Sequence, residues 1–404
     1  MLKRVILWAM LMPLAGAAGA QMSLPQLGSG LGTVLGRVDS ALSPVTRPVE
    51  GVLRDATTLA TARLDRLTDF VRTHRGAVEM DDSDQPARAH EILLLDPDDA
   101  VVAQAGAAGC RLIERGQVEG LGIAYARLST PDGKSLAAAI RQLRRLLPGR
   151  TISADQLHFP GGSTARTRTT SSAARPTGGT VGIIDSGALP GPRIAAQAGF
   201  AQGAPRAGEH GQAIASLLNG AGVARIYVAD VYGNDPAGGN ALAIARALGW
   251  MAGRGVGIVS ISLVGPANPL LERAIGAAQA RGMIVAAAVG NDGAAAPPAY
   301  PASYRDVLAV TGVDGHGRVL FEAGRATHLD YGAPGADMMA IGLGGKPVSL
   351  RGTSFAAPLA AARVAALSAG VQGRGAVLLR ADAEAVKGGH TGRGVLCPAC
   401  RAGV

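Results

Sequence analysis

Three side chains that could form an acid–imidazole–hydroxyl relay each lie in a short run of glycine and small residues. Asp185 sits in IIDSG, His210 in EHGQAIA and Ser354 in GTSFAAP. A serine hydroxyl is a poor nucleophile until a base takes its proton, and an imidazole oriented by a carboxylate is such a base. A fourth run, AAAVGNDG, puts Asn291 on a tight turn between Gly290 and Gly293. There its amide could donate to a developing oxyanion. Each residue also has a plainer reading. Ser354 could be a helix N-cap, His210 a surface or capping histidine, Asp185 a turn carboxylate and Asn291 part of an Asn-Asp-Gly turn. IIDSG further matches the D-[ST]-G of aspartic peptidases, but that chemistry needs two such carboxylates side by side and the chain has no second copy.

The elements that must hold these residues follow from apolar patterning. From Thr180 onward TVGIID, ARIYVADV, VGIVSISL, MIVAAAV and VLAVTGV are β-branched runs suited to parallel strands buried on both faces. Helical stretches at 210–219, 240–253, 268–281 and 354–369 lie between or after them. The alternation predicts an α/β fold, an open and mostly parallel sheet with helices on both faces. Its ligands sit at the carboxyl ends of the strands. Asp185 and Asn291 follow strand ends, and His210 and Ser354 open helices, so all four converge on one edge. Pro358 is expected in the first turn of the last helix.

Residues 88–160 follow another pattern. HEILLLD reads as a strand, DDAVVAQAGAAG as a helix, CRLIERGQVEGLGIAYARLS as two strands meeting near Glu119-Gly120, 134–147 as a helix and TISADQLHF as a strand. The order β-α-β-β-α-β is the split βαβ, ferredoxin-like plan of a small α+β domain. Residues 161–179, rich in Gly, Ser, Thr and Arg, read as an exposed linker open to processing. Residues 21–87 read as a helical prefix and linker. Its better helix covers roughly 56–73, with a stripe of Ala56, Ala60, Leu64, Leu67 and Val71, and with Asp65, Arg66 and Asp69 facing away and Arg63 at the flank. MDDSDQPAR reads as the linker. Residues 1–20 have the charged start, short apolar run and Ala18-Gly19-Ala20 of a secretory signal, so the chain is expected to be exported, to the periplasm or beyond the cell. An uncleaved anchor is the alternative.

The 404 residues are 48% hydrophobic but only 3% aromatic, with 58 Gly, which calls for a core of small aliphatics in close contact. Net charge is +9, but the basic residues are scattered without interleaved aromatics, so no nucleic-acid partner is expected. Cys397 and Cys400 form a lone CxxC in a tail at 397–404. That fits a small local disulfide or two free thiols and lacks the second pair of a zinc site. No metal or cofactor is assigned. Gly133-Lys134-Ser135 lacks the upstream glycine of a phosphate loop, His90-Glu91 lacks a second histidine, and no G-x-S-x-G elbow occurs.

The order Asp, His, Ser together with GTSFAAP resembles the subtilisin-like serine peptidases, or subtilases. The likeness covers 180–396. SISLVGP resembles the family's substrate-binding strand, and AYPASYRDVLAVTGVD, LDYGAPG and GRGVL resemble further segments. It implies an exported serine endopeptidase acting on polypeptides through Asp185, His210 and Ser354 with Asn291 as oxyanion donor. It also implies that 88–160 is an inhibitory prodomain, the intramolecular partner of the peptidase. Ser262, Leu263 and Val264 would line the substrate on one side, Gly238 and Gly239 on the other. Val264 and Ala299 stand where the family has glycine, which narrows the first specificity pocket. The family's HGTH becomes His210-Gly211-Gln212-Ala213, and the loop that often binds calcium is absent. The other function class is a catalytically idle secreted binding protein on the same scaffold.

Overall fold

The computed structural model describes residues 58–161, 163–165 and 178–400. The expected signal and the first part of the prefix lie outside them, as does most of the 161–179 linker. Helix α1 covers 58–73. It is followed by β1 (Val78–Met80), β2 (Pro86–Leu95), α2 (Asp99–Ala107), β3 (Leu112–Val118), β4 (Ile123–Ser129), α3 (Leu136–Leu146) and β5 (Ile152–Gln156). From β2 to β5 this is the expected β-α-β-β-α-β. The antiparallel sheet runs β5-β2-β4-β3. One face carries Ile92, Leu94, Ala126 and Leu128 against Ile140 and Leu143 of α3. The strand begins earlier than HEILLLD suggests, and MDDSDQPAR is not a plain linker. β1 pairs with β2 through Val78↔Arg88 to Met80↔Pro86, and Asp81 closes the turn by accepting from Ser83 and Gln85 N–H.

Two short strands follow, β6 (Phe159–Pro160) and β7 (Ser163–Ala165), and then β8 (Thr180–Asp185), β9 (Ile194–Gly199), α4 (Glu209–Gly220), β10 (Arg225–Asp230), α5 (Ala241–Gly253), β11 (Ile258–Ile261), β12 (Leu263–Val264), α6 (Pro269–Ala280), β13 (Ile284–Ala288), β14 (Leu308–Val313), β15 (Tyr331–Pro334), β16 (Met338–Ile341), β17 (Pro347–Arg351), α7 (Thr353–Leu367) and α8 (Arg374–Glu384). Seven of these strands form a parallel sheet in the order β15-β14-β13-β11-β8-β10-β9. β8 is the point where the winding reverses, and the carboxyl ends open a crevice there.

Strand residues alternate between two cores, as the period of two requires. Val181, Ile183, Ile226 and Val228 face α4, α7 and α8. Ile184, Ala229, Val259 and Ile261 face α5 and α6. Helix α7 is buried on every side and built largely from alanine, which lets the sheet approach its backbone closely. Pro358 is the sixth residue of that helix rather than part of its first turn. Cys397 and Cys400 are disulfide-bonded and belong to the first core, so 397–400 is part of the domain rather than a tail.

The small sheet docks on the outer side of α5 and α6. Leu93, Leu95, Val118, Leu121, Ile123 and Tyr125 join the second core. The turn at Glu119-Gly120 meets the α5 backbone so closely that a Cβ on Gly249 would lie 2.0 Å from Glu119 O. At the other end β5 caps two helices. Asp155 accepts from Leu242 N at 3.0 Å, and Asn268, the N-cap of α6, donates to Ala154 O and Gln156 Oε1.

Candidate active site

Asp185 ends β8 with no exposed surface. Its Oδ1 accepts from Ser186 N at 2.8 Å, and both oxygens lie 2.9 Å from His210 Nδ1. His210 Nε2 lies 3.0 Å from Ser354 Oγ. The imidazole thus bridges carboxylate and hydroxyl. The packing beneath fixes it there. His210 is the second residue of α4, and this helix turn rests on Ser186, whose Oγ accepts from Gly211 N at 2.9 Å. A Cβ at Gly211 would fall 2.0 Å from Ser186 O, so only glycine admits this approach.

Ser354 is the second residue of α7 and is fully buried. Pro358 has no N–H to offer the Ser354 carbonyl four residues back. Ser262 Oγ donates to that carbonyl instead, at 2.7 Å. Asn291 faces the same helix end, its Oδ1 accepting from Thr353 N at 3.0 Å, while Thr353 Oγ1 donates to Gly290 O at 3.1 Å. The Nδ2 of Asn291 is buried and has no hydrogen-bond partner. An amide donor kept dry and unspent at the helix end that carries Ser354 could serve an oxygen that carries charge only during reaction.

The chain itself runs through the crevice. His158 N donates to Gly239 O at 2.8 Å, β6 pairs antiparallel with β12 through Phe159↔Val264 and Pro160↔Leu263, and Gly161 N donates to Ser262 O at 3.2 Å. Beyond Gly162, β7 pairs with β17, Ser163↔Arg351 to Ala165↔Ser349, on the strand that leads into Ser354. Part of the expected linker is therefore a strand. Gly239, Ser262, Leu263 and Val264 meet residues 158–161, the tail of the small domain, through their backbones, and Leu263 turns its side chain into the core. Among the described residues, Gly238 makes no backbone pairing with 158–161. That residue packs behind, against Tyr232 and Asp235. Val264 and Ala299 both line the cavity beside Gly161.

Sequence reading missed Asp230, Tyr232 and His158. Asp230 is buried opposite Asp185, accepting from Arg206, Tyr232 and Gly233 N–H. Its place at a strand end was the available signal. Tyr232 donates to His158 O at 2.6 Å, and burial beside Asp185 and Asp230 pushes its phenol well above the ordinary value. His158 has no exposed surface and neither ring nitrogen has a partner. Burial holds its imidazole down to about 4.

The subtilase family profile matches residues 193–381, which hold His210, Asn291 and Ser354 but not Asp185. Subtilisin BL of Lederbergia lenta is 33% identical over 194 residues, 44% of this chain and 71% of that protein. The chain belongs to the subtilase family. Membership makes it a serine endopeptidase, a hydrolase acting on polypeptides. Alkaline elastase YaB of Bacillus sp. (strain YaB) is 35% identical over 204 residues, 45% of this chain and 52% of the relative. Fervidolysin from Fervidobacterium pennivorans, described as a keratinolytic enzyme related to subtilisin, shares the fold. Its crystal structure matches with a TM-score of 0.60 at 16% identity, covering 78% of this chain and 61% of that one.

Proposed function

We propose that the protein is the precursor of an exported subtilase whose catalytic residues are Asp185, His210 and Ser354. The observation that carries this reading is the His210 ring, with Nδ1 on Asp185 and Nε2 on Ser354. His210 takes the Ser354 proton as Oγ attacks the peptide carbonyl and returns it to the leaving amine. Asp185 holds the tautomer and stabilises the imidazolium. Asn291 Nδ2 and the backbone N–H groups at the start of α7 receive the oxyanion. Substrate adds a strand to β12 as residues 158–161 do, with Gly239 and Ser262 as further backbone partners.

In this reading residues 88–160 are the inhibitory prodomain and the chain is its own first substrate. We assign the first cut to the bond between Gly161 and Gly162, because 159–160 pair with β12 on one side and 163–165 pair on the other with β17, the strand that leads into Ser354. Export is proposed from the first twenty residues, and no described helix is long and apolar enough to cross a membrane. The test is expression of wild type and Ser354→Ala in a host lacking other peptidases. Wild type should yield a product beginning at Gly162, and Ser354→Ala a chain without that cut. A normally processed Ser354→Ala chain would refute the assignment of Ser354. A product starting elsewhere would refute the cut site.

A further inference from the structure

The tail that lies in the cleft fills it incompletely. Gly161 occupies the position before the proposed cut, and it has no side chain. A Cβ there would point at Gly290 Cα, Val264 Cγ1 and Asn291 Nδ2, at 3.5, 3.6 and 3.8 Å. In that direction lies one end of a larger cavity of about 1160 Å³, where Val264, Asn291 and Ala299 form the wall. Helix α1 lines another side of it, through Arg63, Arg66, Leu67 and Phe70.

The contacts of α1 are specific. Leu59, Arg63, Leu67, Phe70 and His74 recur at three- and four-residue steps and are the part-buried face, whereas Leu64 is 60% exposed. Leu59 packs over Gly293. Arg63 Nε lies 3.3 Å from Asp292 Oδ2, and Arg66 pairs with Asp292 Oδ1. Asp292 directly follows the proposed oxyanion residue, and only 20% of its side chain is exposed. One turn further on, Phe70 meets Phe159 of the tail edge to face at 5.1 Å. A single amphipathic helix therefore grips the loop that carries Asn291 and the segment that lies in the cleft.

We propose that helix 58–73 is a second inhibitory element, distinct from the tail, which shuts the pocket for the residue before the cut and is keyed to Asp292 by Arg63 and Arg66. The proposal rests on the peptidase reading above. It makes activation a two-event process. Cleavage after Gly161 breaks the chain but leaves α1 seated by its own side chains. Substrates with a side chain at that position enter only when α1 leaves.

The test uses the full chain in two backgrounds. In Ser354→Ala, hydrogen exchange of amides 62–73 reads how firmly α1 is held, without any catalysis. Arg63→Glu with Arg66→Glu should speed that exchange about tenfold, the scale of two partly screened ion pairs turned repulsive. Adding Asp292→Arg should restore protection. In the active chain, the lag between self-cleavage and hydrolysis of a peptide substrate should shorten by about the same factor in the double glutamate variant. Unchanged exchange, or no rescue by Asp292→Arg, overturns the plug. So does an unchanged lag in a chain that cuts itself normally. A chain that never cuts itself would instead defeat the peptidase reading, and the exchange measurement would still decide the role of α1.

Discussion

Two buried groups on the bound 58–161 segment should cancel each other's pH dependence, and removing either should reveal the other. Asp155 is buried at the head of α5, where it accepts from Leu242 N–H. Burial raises its pKa from 3.8 to about 6; Glu91 adds to the rise, and Leu242 N–H, Arg88 and Arg127 oppose it. Release returns the carboxyl to water. Between those values the bound segment carries one more proton than the free one, so this contribution is complete below pH about 4 and lost as pH rises to about 6. His158 behaves in the opposite sense. Burial lowers it from 6.5 to about 4, so its contribution is complete above pH 6.5 and lost as pH falls towards 4. Each group alone changes affinity about tenfold per pH unit across its window, roughly a hundredfold or somewhat more in total. Together the slopes oppose, and the wild-type dissociation constant of the self-cleaved complex should be nearly flat from pH 4 to 6. Asp155→Asn keeps an acceptor for Leu242 and cannot titrate. Its complex should tighten about tenfold per unit as pH rises. His158→Leu removes the titrating imidazole, whose burial the backbone groups of Gln156, Pro266 and Gly239 offset only in part. Its complex should weaken with rising pH instead. Titration of the separated segment back onto the enzyme at pH 4, 5, 6 and 7 reads all three. An Asp155→Asn complex as flat as wild type would refute the argument, as would two variants with slopes of the same sign.

Asn291→Asp should keep the bond to Thr353 N and lose the Nδ2 donor, lowering kcat by at least about 10²–10³, a magnitude taken from a subtilisin relative rather than from this geometry. Asn291→Ala should also lower the melting temperature, because the Thr353 N–H is left unpaired, whereas equal melting of both variants would refute the double role. Gly249→Ala, whose Cβ would strike Glu119 O, should weaken binding of the separated segment while leaving mature kcat/KM unchanged. Loss of mature activity would count against this contact being the only one affected. With Val264 and Ala299 beside Gly161, cleavage should favour Gly, Ala, Val or Leu before the cut, at roughly 1–3 kcal/mol per excluded methylene. A tenfold preference for Phe or Tyr in a peptide library would refute the narrow pocket.

What could be read from sequence was local and strongly patterned. β8, β10, β11, β13 and β14 are long apolar runs, and the triad motifs owe their glycines to contacts such as Gly211 on Ser186. The elements that escaped reading depend on distant partners. β9, IAAQAG, has no alternation and takes its conformation from β10. β7 lies in a polar stretch and is a strand only because β17 offers an edge. The stripe of α1 departs from the reading at two places: Ala60, Leu67 and Val71 are part-buried as expected, but Leu64 turns out, and Arg63, read at the flank, turns inward to a carboxylate 229 positions later in the chain. Gly238 and Gly239 are neighbours that no pattern distinguishes, and only the latter has the positive φ of 72° that turns its carbonyl towards His158.

The pairing of 159–160 with β12 and of 163–165 with β17 would, on the proposed reading, separate two steps by their kinetic order. On the proposed reading, with both flanks held by β12 and β17, the scissile bond would meet Ser354 at an effective concentration no free peptide matches. The first cut is then unimolecular, with one half-time at every protein concentration. Escape of the severed segment is a dissociation, and its yield grows as the solution is thinned. An enzyme that matured by this proposed route would stay silent where it is crowded and wake where it is dilute, so that dilution itself would be the signal.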